Sequence, residues 1–193
     1  MSAPPRGFRR LAAVTAGATL VLIVLGGIVR LSDSGLGCGP AGSGFHGWPL
    51  CRGDIVPGLD LNAVIEYSHR ALASVVGLLA IALAVWAVRR LRGHRGIVRA
   101  SVGGAVLVVV QGLLGALVVE ENLQEALVAA HLGLAMLLLA VTLYLVRSSR
   151  PDVIGAEPPA GVTPGLRRLA VAAAGAVLAT IVAGGYVAGT EGY

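Results

Sequence analysis

Charged and aromatic residues are scarce in this sequence of 193 residues. Only 13% of the residues are charged and 4% are aromatic, whereas 56% are hydrophobic, and the mean hydropathy is +0.83. This composition excludes an ordinary soluble domain of the same length. Lysine is absent, so arginine supplies all fifteen basic side chains behind the formal net charge of +5. The sequence is therefore that of a membrane protein.

Five hydrophobic runs are long enough to cross a bilayer, whose apolar core of about 30 Å requires roughly 20 helical residues. The first run is longer than the apolar region of a signal peptide, and no small-x-small cleavage site follows it, so we interpret it as a retained helix. The predicted fold class is an all-α integral membrane protein. The predicted transmembrane helices lie at 11–29, 63–88, 100–119, 126–146 and 169–188.

The arginines indicate the orientation of these helices. Arginines close to helix ends tend to remain in the cytoplasm. A cytoplasmic N-terminus places twelve of the fifteen on the inner side and leaves Arg30, Arg52 and Arg70 on the outer side with most of the acidic residues. We predict a multi-pass protein of the cell membrane in this orientation. Because the positive charge is explained by topology, the lipid bilayer is an expected partner and nucleic acid is not.

The longest connection, at 30–62, is rich in glycine and proline and holds Cys38 and Cys51, which are the two cysteines of the sequence. Two cysteines in one extracytoplasmic loop favour a disulfide. A bridge would close a loop of about 14 residues and stabilise the fold by roughly 3 kcal/mol. A redox-active pair is the alternative, although Cys-x-x-Cys spacing is lacking. His46 and His94 are predicted to be solvated surface residues.

Two further histidines fall inside predicted helices. His69 and His131 each lie several residues from the outer end of the second and fourth helix, which places both roughly 10 Å below the outer surface. Ionisable groups in membrane segments are costly and usually face the bundle interior. A matched depth on alternate helices of a four-helix bundle favours a shared site over two separate structural imidazoles.

Haem iron is the ligand that this pair fits best, because it needs two axial ligands. Zinc usually takes three or four protein ligands, and Glu66 is the single further candidate at this level. Arg30 and Arg70 are candidates for binding haem propionates; the alternative is that they snorkel to lipid headgroups.

Glu66 precedes His69 by three residues and lies on the same helical face. A carboxylate in this position can act as an acid, as a base or as a stabiliser of positive charge on a bound substrate. The alternative is an interfacial group that pairs with Arg70 or faces water.

Several ordered segments resemble the heme A synthase family over about 120 residues. They are GGIVRLSDSGL at 26–36, followed by Cys38, then WPLC at 48–51, IEYSHR at 65–70, QGLLGALVV at 111–119 and LVAAHLGLA around His131. In that family eight helices form two four-helix halves, each with a histidine pair. The enzyme oxidises a methyl group of haem O to the formyl group of haem A.

The resemblance implies a role for each candidate residue. Glu66 would be the catalytic carboxylate, His69 and His131 would flank the iron of the substrate haem O, and Cys38 would pair with Cys51. It also implies haem b in the second half, and haem O synthase and cytochrome oxidase as partners. The sequence departs from the family in its loop: twelve residues separate the cysteines, where the family pattern is tighter, so GPAGSGFH looks like an insertion.

The segment GGYVAGTEG at 184–192 echoes GGIVRLSDSG at 26–35, as expected of a duplicated membrane fold. We predict a four-helix transmembrane half at 1–147, a cytoplasmic linker at 148–168 and, at 169–193, a fifth helix that begins a truncated second repeat. The isolated chain is expected to lack turnover.

Two other functions remain open. One is a bis-histidine membrane cytochrome for electron transfer, in which Glu66 is dispensable. The other is a non-enzymatic membrane assembly factor that uses its outer loop to hold a partner, in which both histidines are dispensable.

Overall fold

A computed structural model describes residues 3–153 and 162–190, and within these ranges the chain is all-α. Each of its five long helices is long and apolar enough to cross a membrane, so the predicted helices and fold class are confirmed. A short 3-10 helix at Gly44–His46 is the remaining helical element of the described residues. The helices are α1 at Arg6–Leu31, α2 at Leu61–Arg90, α3 at Arg95–Glu120, α4 at Glu125–Ser148 and α5 at Pro164–Thr190.

The helices extend beyond the apolar runs that predicted them. α1, α3 and α5 each begin five residues earlier than expected, because arginine is a good helix former and proline is tolerated in a first turn. Thr163 caps the start of α5, where its hydroxyl accepts a hydrogen bond from the Leu166 amide at 3.1 Å. The predicted linker therefore ends before Pro164, and its residues 154–161 lie outside the described residues.

The first four helices form a closed ring. α1 packs on α2, α2 on α3, α3 on α4, and α4 returns to α1, so α2 and α4 face each other across the ring. Short turns join α2 to α3 and α3 to α4, which makes successive helices antiparallel. We call the end that carries the long loop 32–60 the loop end. The largest buried cluster lies at the opposite end, around Phe8, Leu83 and Leu145.

α5 packs mainly on α4, outside the ring. Glycines permit this close approach, as small residues commonly do between membrane helices. A Cβ atom placed on Gly133 would lie 2.9 Å from Val182, and one on Gly185 would lie 3.1 Å from Leu132.

We expect Gly133→Leu to force α5 away from α4 and to lower the unfolding free energy by about 1 to 3 kcal/mol, the usual cost of overpacking. Thermal unfolding in detergent measures the change. Gly175→Leu on α5 is the matched control, because a Cβ there would meet nothing within 4 Å. Equal destabilisation by the two substitutions would contradict this packing.

Candidate haem site

The two histidines of the predicted site lie on the buried faces of α2 and α4. Each is followed at intervals of seven residues by two buried side chains, and such an interval keeps residues on one helical face. Both imidazoles therefore point into the ring of four helices. The buried side chains are Val76 and Leu83 after His69, and Leu138 and Leu145 after His131.

The histidines also lie at similar depth. His69 is eight residues from the start of α2 at Leu61, and His131 is six residues from the start of α4 at Glu125. At about 1.5 Å per residue these distances are roughly 12 and 9 Å from the loop end.

Each imidazole rests against a glycine of a neighbouring helix. A Cβ on Gly26 of α1 would lie 3.0 Å from Cε1 of His69, and a Cβ on Gly115 of α3 would lie 3.4 Å from Cε1 of His131. A larger residue at either position would crowd the ring. The Leu22 backbone is a further polar neighbour of His69.

Both rings retain a nitrogen that can bind a ligand or a hydrogen-bond partner. Nδ1 of His69 and Nδ1 of His131 are buried, and neither has a hydrogen-bond partner within 3–153 and 162–190. Buried polar atoms in proteins are nearly always paired. The donor set therefore fits a group that engages two imidazoles within the ring.

Glu66 lies at the loop end of the same site, where it is 3% exposed. Its Oε2 atom accepts a hydrogen bond from the Cys38 amide at 2.7 Å, and its Oε1 atom pairs with the Arg70 guanidinium. Both carboxylate oxygens are thus engaged. This is the arrangement that the sequence left open as the alternative for Glu66.

Arg70 joins α2 to the long loop. Its Nη2 atom donates to Glu66, while Nη1 donates to the Gly47 carbonyl and, at 3.0 Å, to the Leu50 carbonyl. The side chain is 13% exposed. The side chain of Arg30, in the last turn of α1, makes no hydrogen bond or ion pair with the described residues. The structure therefore brings Arg70, but not Arg30, into contact with Glu66.

The long loop is seated on the first turns of α2. Cys38 and Cys51 form a disulfide, and both are buried against Ala63 and Tyr67. The loop also approaches α2 at Gly37, where a Cβ would collide with the Asn62 backbone.

The two histidines predicted to be solvated differ from each other. His46 is exposed in the short 3-10 helix of the loop. His94 precedes α3 and is half-buried, and its Nε2 atom is buried. The expectation of a solvated surface residue is therefore wrong for His94, because the turn from α2 into α3 folds this ring against the bundle.

Comparisons with known proteins identify the family of this chain. A family model, COX15-CtaA, described as "Cytochrome oxidase assembly protein", matches residues 59–193. The chain belongs to the COX15-CtaA family. This confirms the resemblance to heme A synthases, and the matched region holds Glu66 and both histidines of the ring.

Curated relatives in this family are named heme A synthase. That of Symbiobacterium thermophilum is 36% identical over 157 residues, which are 77% of this chain and 48% of that protein. That of Halalkalibacterium halodurans is 31% identical over 173 residues, 89% of this chain and 56% of that protein. That of Alkalihalophilus pseudofirmus is 35% identical over 133 residues, which are 68% of this chain and 43% of that protein. The chain spans about half the length of the relatives it matches. No solved structure matches it.

Sequence reasoning missed one functional candidate in this COX15-CtaA chain. Gln111 of α3 donates a hydrogen bond from Nε2 to the His131 backbone carbonyl at 3.1 Å. It lies one turn from Gly115, the glycine beneath the His131 ring. A glutamine inside an apolar membrane run was the signal that could have identified it, because polar side chains there usually bind a neighbouring helix.

Proposed function

We propose that this chain acts in the oxidation of the haem O methyl group to the formyl group of haem A, with haem O bound between α2 and α4. The pair of inward-facing imidazoles at matched depth carries this proposal. They stand on helices that face each other across the ring, and each has a buried, unpartnered Nδ1 among the described residues. Haem iron takes two such axial ligands.

The chain's own residues supply three things to this site. His69 and His131 would bind the haem iron, and Gly26 and Gly115 leave the rings room to turn toward it. Glu66, one turn from His69, is the carboxylate that stabilises positive charge on the reacting carbon or accepts its proton.

The basic residues support the orientation that we propose for this site in the cell membrane. Both ends of the inner connection from α2 to α3 are rich in arginine, at Arg89, Arg90, Arg92 and Arg95. Arginine-rich connections stay in the cytoplasm. The loop end, and with it the haem site, then lies on the extracytoplasmic side.

Substitution of the histidines tests haem binding. We expect His69→Ala and His131→Ala each to weaken haem O binding at least about tenfold and to abolish the spectrum of bis-histidine haem, because an axial ligand is lost. Titration of the purified chain with haem O in nanodiscs measures both. His94→Ala, at the opposite end of the bundle, is the control and should bind as the unmodified chain does. Unchanged binding by either ring variant would refute the site.

A bis-histidine electron-transfer cytochrome is the second candidate. The engagement of both Glu66 oxygens by Cys38 and Arg70 favours it, since a carboxylate so placed can be purely structural. Glu66→Gln separates the two functions. Because the isolated chain is expected to lack turnover, the substitution is made in this chain joined to the second half of a full-length relative. The enzyme should then keep bound haem O and lose haem A in cell extracts, whereas a cytochrome should show no change in product.

A further inference from the structure

Gln111 has one amide atom in use and one without a partner. Nε2 donates to the His131 carbonyl at 3.1 Å. A carbonyl oxygen can only accept, so the amide nitrogen must face it, and this fixes the position of Oε1. Oε1 is buried and has no hydrogen-bond partner among the described residues. Gln111 thus holds an acceptor ready beside the haem site.

The position of Gln111 on α3 directs this acceptor into the ring. The buried residues Ile97, Ser101 and Gly104 follow one another at intervals of three or four. Gln111 and Gly115 lie seven and eleven residues after Gly104, and these intervals keep them on the same helical face. Since Gly115 lies beneath the His131 ring, Gln111 is one turn further from the loop end, next to the space between the histidines.

A buried acceptor without a donor destabilises the protein, because the desolvation of the oxygen is not offset by a hydrogen bond. The cost is recovered when a ligand brings a donor to it. A binding site built in this way rejects an otherwise similar ligand that lacks the donor, because the acceptor then stays unpaired. Gln111 therefore has the properties of a specificity-determining residue.

We infer that Oε1 of Gln111 accepts a hydrogen bond from a hydroxyl group on the haem substrate. This rests on the proposed function: haem O carries a hydroxyl on the carbon that joins its isoprenoid chain to the porphyrin. The hydroxyl would then be recognised by α3, and the iron by α2 and α4. The two amide atoms of Gln111 then have different roles: Nε2 positions His131, and Oε1 selects the substrate.

The test compares haem O with its dehydrated derivative, which keeps the isoprenoid chain and lacks the hydroxyl. We expect the unmodified chain to bind haem O at least about tenfold more tightly, and Gln111→Met to remove most of that preference. Binding of the dehydrated haem should change less than about threefold in the variant. Gln124→Met, at the exposed start of α4, is the matched control and should keep the preference.

A second variant keeps the test valid if Gln111→Met does not fold. Gln111→Glu keeps an acceptor oxygen at this position, so it should retain a preference for haem O. The inference is overturned if Gln111→Met weakens both haems equally, or if the unmodified chain does not distinguish them. Either result leaves the proposed function standing as long as binding still depends on His69 and His131. If substitution of His69 and of His131 leaves haem binding unchanged, the proposed function itself is wrong.

Discussion

Replacement of Arg70 by methionine is expected to lower the unfolding free energy by about 3 to 5 kcal/mol, because it leaves the buried Glu66 carboxylate without its cation. The same change removes the donors to the Gly47 and Leu50 carbonyls, so the loop should separate from α2. Chemical unfolding in detergent measures the first effect. Faster hydrogen exchange of the Cys38 amide, which donates to Glu66, reports the second.

The control for this substitution is an ion pair of the same type in an exposed position. Arg150 and Asp152 are joined at 3.1 Å with side chains 55% and 61% exposed, so Arg150→Met should leave the unfolding free energy nearly unchanged. Adding Glu66→Gln to Arg70→Met should restore part of the lost stability, since it removes the unpaired charge. Equal effects of the two arginine substitutions would contradict a buried Glu66–Arg70 pair.

The same variant decides between two roles for Arg70. The sequence suggested that Arg70 binds a haem propionate, whereas in the structure the Arg70 guanidinium pairs with Glu66 and donates to a loop carbonyl. A residue that positions Glu66 and the loop should lower the yield of haem A and leave haem O affinity nearly unchanged. A propionate ligand should lower that affinity about tenfold. Arg30→Gln provides the comparison, because Arg30 makes no ion pair with the described residues.

The helices and the level of the histidines could be predicted because both depend on local sequence. An apolar run of membrane length identifies a helix, and counting residues from its end places His69 and His131. The helix ends could not be predicted from hydrophobicity. An apolar run marks only the part of a helix that lies in the hydrocarbon core, and arginine residues extend the helix beyond it. The inward direction of the histidines could be predicted as well, because ionisable groups in membrane segments usually face the bundle interior.

The contact of Glu66 with Cys38 and that of Gln111 with His131 were beyond sequence reasoning. Glu66 meets Cys38 across 28 residues of chain, and Gln111 meets His131 across 20. The path of a glycine-rich loop and the rotation of one helix against another decide such contacts, and neither leaves a periodic signal. The glycines beneath the two imidazoles were equally hidden, because glycine is common throughout membrane helices.

Removal of the Cys38–Cys51 disulfide is the second change with a large expected effect. The bridge spans 13 residues, and by the chain-entropy estimate its loss should cost about 3 kcal/mol. The paired substitution of Cys38 and Cys51 by alanine should also expose the Glu66–Arg70 pair to water, since Cys38 donates its amide to Glu66. The measurement is unfolding with and without reductant. Reductant should destabilise the unmodified chain and leave the alanine variant unchanged.

This variant also separates a structural bridge from a redox-active one. If the bridge only fixes the loop, the yield of haem A should fall in step with the population of folded protein and recover at lower temperature. A bridge that passes electrons requires the sulfur atoms themselves, so the yield should stay low in the folded variant. The burial of both cysteines, 0% and 1% exposed, favours the structural role, because thiol exchange needs access to the sulfur. Low yield from a fully folded alanine variant would contradict this.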